Sequence, residues 1–365
     1  MRYISRINWI LVIICILSIF LLLSNSIVVE NENGRETKFF RIQDNLDLSN
    51  TMPLSKVYME ALPNAIPALT LKDAKFVFFE TFNRIDQMIY DMRQQFPKDC
   101  IINGMNGTDL LVSKSILAKY MKNSKYIPPD TFVLSDPLER KEFIDKVHAN
   151  PSQIYILKKN IQRQEGMLIG SGNELLEEFE KGFIVAQKML DDPFLVAGHK
   201  INLRFYLVVT IIDGAPKWLL YHNGFVYYTP KHYKENGIVN KDTIVTSGYV
   251  DRKIYEDNPL SLNELFEYLG ESKSTTLMCN VYTCFRSLAE RYTKVLRNAN
   301  ANIPGDKFTI LGCDIAPNKD LDVTLMELNK GPDLSYKDER DKNVKLSLVK
   351  SLTQSLLESK ELHLK

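Results

Sequence analysis

The stretch GHKINLRFYLVVTII, residues 198–212, sets the strongest limit on what this chain can fold into. Polar Lys200, Asn202 and Arg204 alternate with apolar Ile201, Leu203 and Phe205, a period of two that a strand satisfies and a helix does not. The two sets face opposite ways, so three polar side chains share one surface while their neighbours enter a core. An amphipathic edge strand explains the same alternation. Similar β-branched and aromatic runs occur at QIYILKK (153–159), GFIVAQKM (182–189) and PKWLLYHNGFVYYT (216–229), separated by polar or glycine-bearing turns. A sheet-rich core follows, and TFVLS (131–135) reads as one more strand. Val281, Phe285, Leu288, Tyr292 and Val295 step by four and three, predicting a long helix that ends near residues 298–302. Phe78, Phe82, Ile85, Ile89 and Met92 predict another, and residues 113–121 a short one. The fold class is therefore α+β, with mainly antiparallel sheets flanked by helices.

Two late strands carry the chemistry. KFTILGCDIA (307–316) and the strand opening TLMELNKGPDL (324–334) are joined by a short PNKDLD turn. A turn centred near Asp320 makes a hairpin that sets Asp314 opposite Glu327, with Cα atoms about 4.5 to 5.5 Å apart. Glu327 and Asn329, two residues apart, project from one face, and Gly331-Pro332 ends the strand. Asp314, Glu327 and Asn329 then converge as hard oxygen donors of the kind Mg²⁺ accepts, with solvated acids on an exposed hairpin as the competing reading. Magnesium implies phosphate, and Lys158 closes the strand QIYILK just before a polar loop, KNIQRQEGML, that contains Arg163 and Gly166. Lysine at a strand end also serves solubility. Lys200 and Arg204 facing an acidic metal site would form a clamp for transferring phosphate.

Composition bounds the rest. The 365 residues are 45% apolar and 25% charged, ordinary for a globular chain of two or three subdomains. With 46 basic against 45 acidic residues there is no overall electrostatic footprint for nucleic acid, and none is expected as a partner. Residues 7–29 form a nearly uninterrupted apolar run, long enough to span a bilayer. The expectation is a retained transmembrane helix and a single-pass membrane protein, anchored to the membrane through this segment. A cleaved signal peptide ending near Ser24 and Ser26 is the alternative. Arg2 and Arg6 before the run and Arg35, Lys38 and Arg41 after it assign no side to the remaining chain. Residues 30 to 60 read as a polar tether. Five cysteines (15, 100, 279, 284 and 313) show neither a disulfide framework nor zinc spacing, and the sequon at Asn106 matters only in a lumen.

Several motifs taken together resemble a known family. YILKKN (155–160), VAQKML (185–190), GHKINLRFYLVVT (198–210), LGCDIA and LMELNKGPDL are similar, in order and spacing, to the signature of the tubulin–tyrosine ligase-like family of ATP-grasp ligases. NGMNGTDLLVSKSILAKYM (103–121) is similar to that family's lysine-bearing helix, and the resemblance covers residues 96–345. It implies an ATP-grasp architecture with an N-terminal α/β subdomain (96–150) and central and C-terminal ATP-grasp subdomains (151–216 and 217–345, the latter with the metal site), to which the sequence adds the anchor (1–29), a tether with an amphipathic helix (30–95) and a C-terminal helix or tail (346–365). It implies ATP and Mg²⁺ as cofactors, a free amino acid (glutamate, glycine or tyrosine) and a protein acceptor, typically tubulin.

By the same resemblance Lys158 holds the α- and β-phosphates, Gln187 and Lys188 the adenine edge, Lys200 the γ-phosphate and Asn202 the nucleotide, with Lys114 a further phosphate contact. Arg204 faces the acyl phosphate and shares the catalytic assignment with Lys200. Asp314, Glu327 and Asn329 match the magnesium ligands. Three departures stand out: Asn202 replaces a frequent Asp, IVTSGY (244–249) keeps only Thr246 of a His-Leu-Thr-Asn stretch, and His222 stands where the family has an acceptor-site arginine. They leave open a non-catalytic tethered binding module and an ATP-grasp ligase for a small carboxylic acid.

Overall fold

The structure, a computed structural model, describes residues 37–42, 56–62, 64–80, 84–128, 130–161, 166–234, 237 and 239–358. Four short strands come first: β1 (Thr37–Ile42), β2 (Ala65–Pro67), β3 (Phe76–Phe79) and β4 (Ile101–Asn103). β1 lies between β2 and β3, and β3 pairs with β4, all parallel. β3 reads Phe-Val-Phe-Phe and is buried along its whole length, as an interior parallel strand requires. This corrects the expectation of one helix from Phe78 to Met92. Aromatic and β-branched neighbours favour the extended state, so Phe78 belongs to β3 and the helix is confined to Ile85–Met92, while Phe82 lies outside the described residues. β1 falls within residues 30 to 60, the segment read from the sequence as a tether.

A second, four-stranded antiparallel sheet follows, built from β5 (Thr131–Val133), β6 (Ile154–Lys158), β7 (Met167–Ser171) and β8 (Val185–Lys188) in the order β5-β8-β6-β7. The Pro137–Ala149 helix covers it. Asp136 starts that helix by accepting from the Leu138 and Glu139 N–H groups, and Pro137 sits where no N–H is needed. Phe143 and Val147 then pack against Phe132, Tyr155 and Leu157.

The chain next forms β9 (Leu195–Val196), β10 (His199–Ile212), β11 (Ala215–Tyr228), β12 (Asp306–Pro317) and β13 (Val323–Lys330). β10 lies antiparallel between β11 and β12. β12 is shared: along its other edge Asp306–Phe308 pairs parallel with β4, and Leu311–Pro317 pairs antiparallel with β13. One nine-stranded sheet results, antiparallel at the β11-β10-β12 end and parallel at the β4-β3-β1-β2 end. The mixed α+β class is as expected, but the parallel half departs from the expectation of mainly antiparallel sheets. The Glu271–Asn300 helix lays Leu277, Val281, Phe285, Leu288, Tyr292 and Leu296 into the core, with Leu296 rather than Val295 making the last buried step.

Residues 1–29, expected to be an anchor, lie outside the described residues. Among the described residues no helix is long and apolar enough to cross a membrane, which corrects the expected transmembrane helix and single-pass membrane localisation. The longest helix, Glu271–Asn300, carries Arg286, Glu290, Arg291, Lys294 and Arg297 on its outer face and is amphipathic instead. Cys100, Cys284 and Cys313 are buried free thiols. The sequon residue Asn106 donates its side-chain amide to the Ala299 carbonyl at 3.2 Å.

The β10/β11 ladder shifts register between Phe205 and Leu207, and Gly224 pairs with Phe205 beside this bulge. A Cβ on Gly224 would collide with the Arg204 carbonyl oxygen and stand 3.1 Å from Leu262 Cδ1. Gly224→Ala is expected to lower stability by about 3 kcal/mol, seen as a lower urea midpoint. An unchanged midpoint would mean that the two strands can part here without cost.

Candidate active site

Antiparallel pairing places directly opposed residues on one face of a sheet. β10, β12 and β13 thereby align Arg204, Asp314 and Glu327 in a single row, because Arg204 pairs with Asp314 and Asp314 with Glu327. The register between β12 and β13 shifts just after Asp314, leaving Met326 as the extra residue, and it holds Glu327 opposite Asp314. In the adjacent row Tyr206, Gly312 and Asn329 are opposed. Gly312 presents no side chain, and the Arg204 guanidinium lies over it: a Cβ there would approach the guanidinium nitrogen to 3.0 Å. From this position Arg204 Nε and Nη2 donate to Asp314 Oδ1 and Oδ2 at 2.6 and 3.0 Å, a bidentate pair. On the β11 side the guanidinium carbon lies 5.0 Å from the centre of the Tyr227 ring.

The other cations arrive from separate elements. Lys158 is the last residue of β6 and is 6% exposed, and Lys200, on β10, is 5% exposed. Lys114 opens the Lys114–Met121 helix; its Nζ donates to the Ile161 carbonyl at 2.9 Å and lies 4.0 Å from Glu327 Oε2. Lys200 Nζ donates to the Ile244 carbonyl at 2.9 Å. Burial pulls the Lys158 pKa down from 10.5 to about 8, against the attraction of Glu327 and Asp314 and with the help of Lys114. Burial, and then Lys158, pull Lys200 down to about 8 as well. Lys158 is therefore the common neighbour, sensing Lys114, Glu327 and Asp314 and acting in turn on Lys200.

The acids respond in opposite senses. Burial pushes Asp314 up to about 6 against the pull of Arg204, with the Glu327 charge adding to the rise. Burial would raise Glu327 too, but Lys114 and Lys158, with the Asn329 amide and the Asp314 carboxyl, hold it below its ordinary range. Arg204, which burial alone would lower, is kept charged chiefly by Asp314.

These residues fit a magnesium nucleotide. Among the described residues no three His, Cys, Asp or Glu side chains form a metal cluster, and the set here is two carboxylates and an amide. That set suits a cation that keeps phosphate and water among its ligands. Asn329 Nδ2 now donates to Glu327 Oε1 at 3.1 Å, and a half-turn of the amide presents its oxygen instead. Gln187 Oε1 and Asn202 Oδ1 are buried acceptors without a partner among the described residues, and a ligand with N–H or O–H groups would satisfy both. Lys188 stands apart from this group, paired with Asp191 at 3.0 Å. His222 is half-buried, and burial lowers its pKa, so a neutral ring stands where the family resemblance implies an arginine. Sequence reasoning passed over Gly312 and Tyr227. A glycine inside an apolar strand, two residues before Asp314, was the available signal of a close approach.

Residues 83–362 match the Tubulin-tyrosine ligase family. The probable alpha-tubulin polyglutamylase Ttll1 of Tetrahymena thermophila is 27% identical over 252 residues, which is 63% of this chain and 60% of that protein. The probable tubulin polyglutamylase ttll-15 of Caenorhabditis elegans is 24% identical over 250 residues, 64% of this chain and 47% of that protein. The tubulin polyglutamylase TTLL7 of Mus musculus is 26% identical over 288 residues, 68% of this chain and 30% of that protein. The chain spans less than two thirds of the length of each of these relatives.

The two depressed lysines make a signed prediction. Below about pH 8 both are charged and attract a polyanion; above it they lose that charge. Their folded pKa lies below the ordinary 10.5, so the unfolded chain binds more protons between about pH 8 and 10.5 and stability rises with pH through that window. Affinity for inorganic tripolyphosphate, measured by calorimetry, is expected to fall from pH 7 to 9 while the lysines' contribution to the free protein's thermal stability grows. Affinity that is flat over this range would show that neither lysine meets the anion.

Proposed function

The chain belongs to the tubulin-tyrosine ligase family, and from this premise we propose that it is an ATP- and Mg²⁺-dependent carboxylate–amine ligase joining glutamate to a carboxylate of a protein acceptor such as tubulin. The observation that carries this reading is the row Arg204–Asp314–Glu327 with the buried Lys158 acting on both its acids and the buried Lys200 four residues from Arg204 on the same strand. Buried lysines close to paired carboxylates are costly to fold and have a use where phosphate charge must be held and moved. A module that only binds a partner has no need of them. Glutamate and tubulin enter because the similar proteins are named tubulin polyglutamylases.

In this reading an oxygen of the acceptor carboxylate attacks the γ-phosphorus, the bond to the ADP oxygen breaks, and an acyl phosphate forms. The glutamate amine then attacks the acyl carbon, the C–O bond to phosphate breaks, and amide, phosphate and one proton are released. Asp314, Glu327 and Asn329 would hold magnesium, which neutralises phosphate charge while the phosphorus changes partners. Lys158, Lys200 and Lys114 would hold the phosphates, Gln187 and Asn202 would accept from donors on the base and sugar, and Lys188 would donate to an acceptor on the adenine edge. Arg204 would face the carboxylate oxygen as it becomes the acyl phosphate. The reaction calls for no side-chain nucleophile, because positioning and charge neutralisation suffice.

Labelled glutamate, ATP, Mg²⁺ and tubulin incubated with the full chain are expected to give label in tubulin only when ATP is present. Glu327→Gln is expected to lower the rate by a factor of about 100 or more. Undiminished transfer by that variant, or wild-type protein that binds ATP and labels neither tubulin nor another protein, would end the proposal.

A further inference from the structure

Asp314 has two claims on it. In the structure both its oxygens accept from Arg204, yet the same carboxylate is a candidate metal ligand. A cation drawing Asp314 toward itself takes two charge-assisted hydrogen bonds from a buried guanidinium, which must then be held by something else or leave the cleft.

The residue in place to hold it is Tyr227. β10 lies between β11 and β12, so the guanidinium has Tyr227 on its β11 side, 5.0 Å from the ring centre, and Gly312 on its β12 side. Tyr227 is in turn backed by Gly248, where a Cβ would stand 3.0 and 3.1 Å from two ring carbons. Glycine, ring, guanidinium and glycine form one close stack, and a side chain at either end would disturb it. The Tyr227 hydroxyl makes no hydrogen bond among the described residues, so the ring face is the part that acts.

We propose that Tyr227 is a positioning residue that keeps Arg204 in the cleft when Asp314 turns to a metal ion, leaving the guanidinium aimed at the oxyanion of the ligated carboxylate. This role rests on the ligase reading above. The attraction of a cation to an aromatic face is independent of Asp314 and survives the exchange of partners.

The test uses the full chain with Tyr227→Phe, which keeps the ring, and Tyr227→Leu and Tyr227→Met, which keep bulk without it. The first readout is the nuclear magnetic resonance signal of the Arg204 guanidinium N–H groups, assigned by its loss in Arg204→Lys and compared between variants with and without the ring, because an aromatic face shifts the protons of a group held over it upfield. That shift is expected in wild type and Tyr227→Phe, both free and with Mg²⁺ and a non-hydrolysable ATP analogue, and absent from the other two variants. The second readout is kinetic. kcat/KM for ligation should stay within about twofold in Tyr227→Phe and fall roughly tenfold in Tyr227→Leu and Tyr227→Met, with affinity for the ATP analogue unchanged in all. An upfield signal that persists without the ring, or a loss in Tyr227→Phe as large as in Tyr227→Leu, would overturn the proposal. So would a parallel loss of analogue binding, which marks a structural role. If wild type binds the analogue but ligates nothing, the ligase reading fails while the resonance still decides whether Tyr227 holds Arg204.

Discussion

Arg204, Asp314 and Glu327 stand side by side on three neighbouring strands, and most of the cleft is arranged around keeping that row of charges satisfied. A buried carboxylate is tolerable only with a partner, and removing one member of such a pair typically costs about 3 to 5 kcal/mol. The bidentate bond between Arg204 and Asp314 meets the requirement on one side of the row. On the other side Lys114 and Lys158 stabilise the Glu327 charge. The second sheet supplies Lys158 from the end of β6, so the two sheets are tied electrostatically as well as by packing.

The departures of residues 244–249 from the family pattern look different once the contacts are known. What this segment gives Lys200 is the backbone carbonyl of Ile244, which any residue supplies. What it gives Tyr227 is the bare surface of Gly248. Neither contribution depends on the histidine and asparagine that the stretch lacks. At His222 the substitution is electrostatic, since a ring kept neutral by burial cannot offer the charge of a guanidinium.

Legibility in the sequence followed the range of the interaction. The alternation of Lys200, Asn202 and Arg204 was readable because strand period is a local property, and the pairing of Asp314 with Glu327 because a short turn fixes hairpin register. The pairing of Arg204 with Asp314 was not, since it joins residues 110 apart and no local pattern encodes it. The strands β2, β3 and β4, of three or four residues, are too short to show a period, and Phe78 fell by coincidence into a helical spacing with Ile85 and Ile89. The Met326 bulge left no mark on the alternation around it. The resemblance supplied roles for individual residues, whereas the close approach of Arg204 to Gly312 and Tyr227 is a property of the assembled sheet.

The position of β12 has a consequence for how the chain is made. This strand, residues 306–317, inserts between β10 and the pair of β4 and β13, so the parallel strands β1 to β4 wait for one that is synthesised only after β10, β11 and the Glu271–Asn300 helix. Until then β4 and β10 each carry an unsatisfied edge next to apolar surface, the condition in which nascent chains aggregate. Completion of the sheet and alignment of Asp314 with Arg204 are the same event, so a polypeptide cut short before β12 lacks both its central strand and its acidic row.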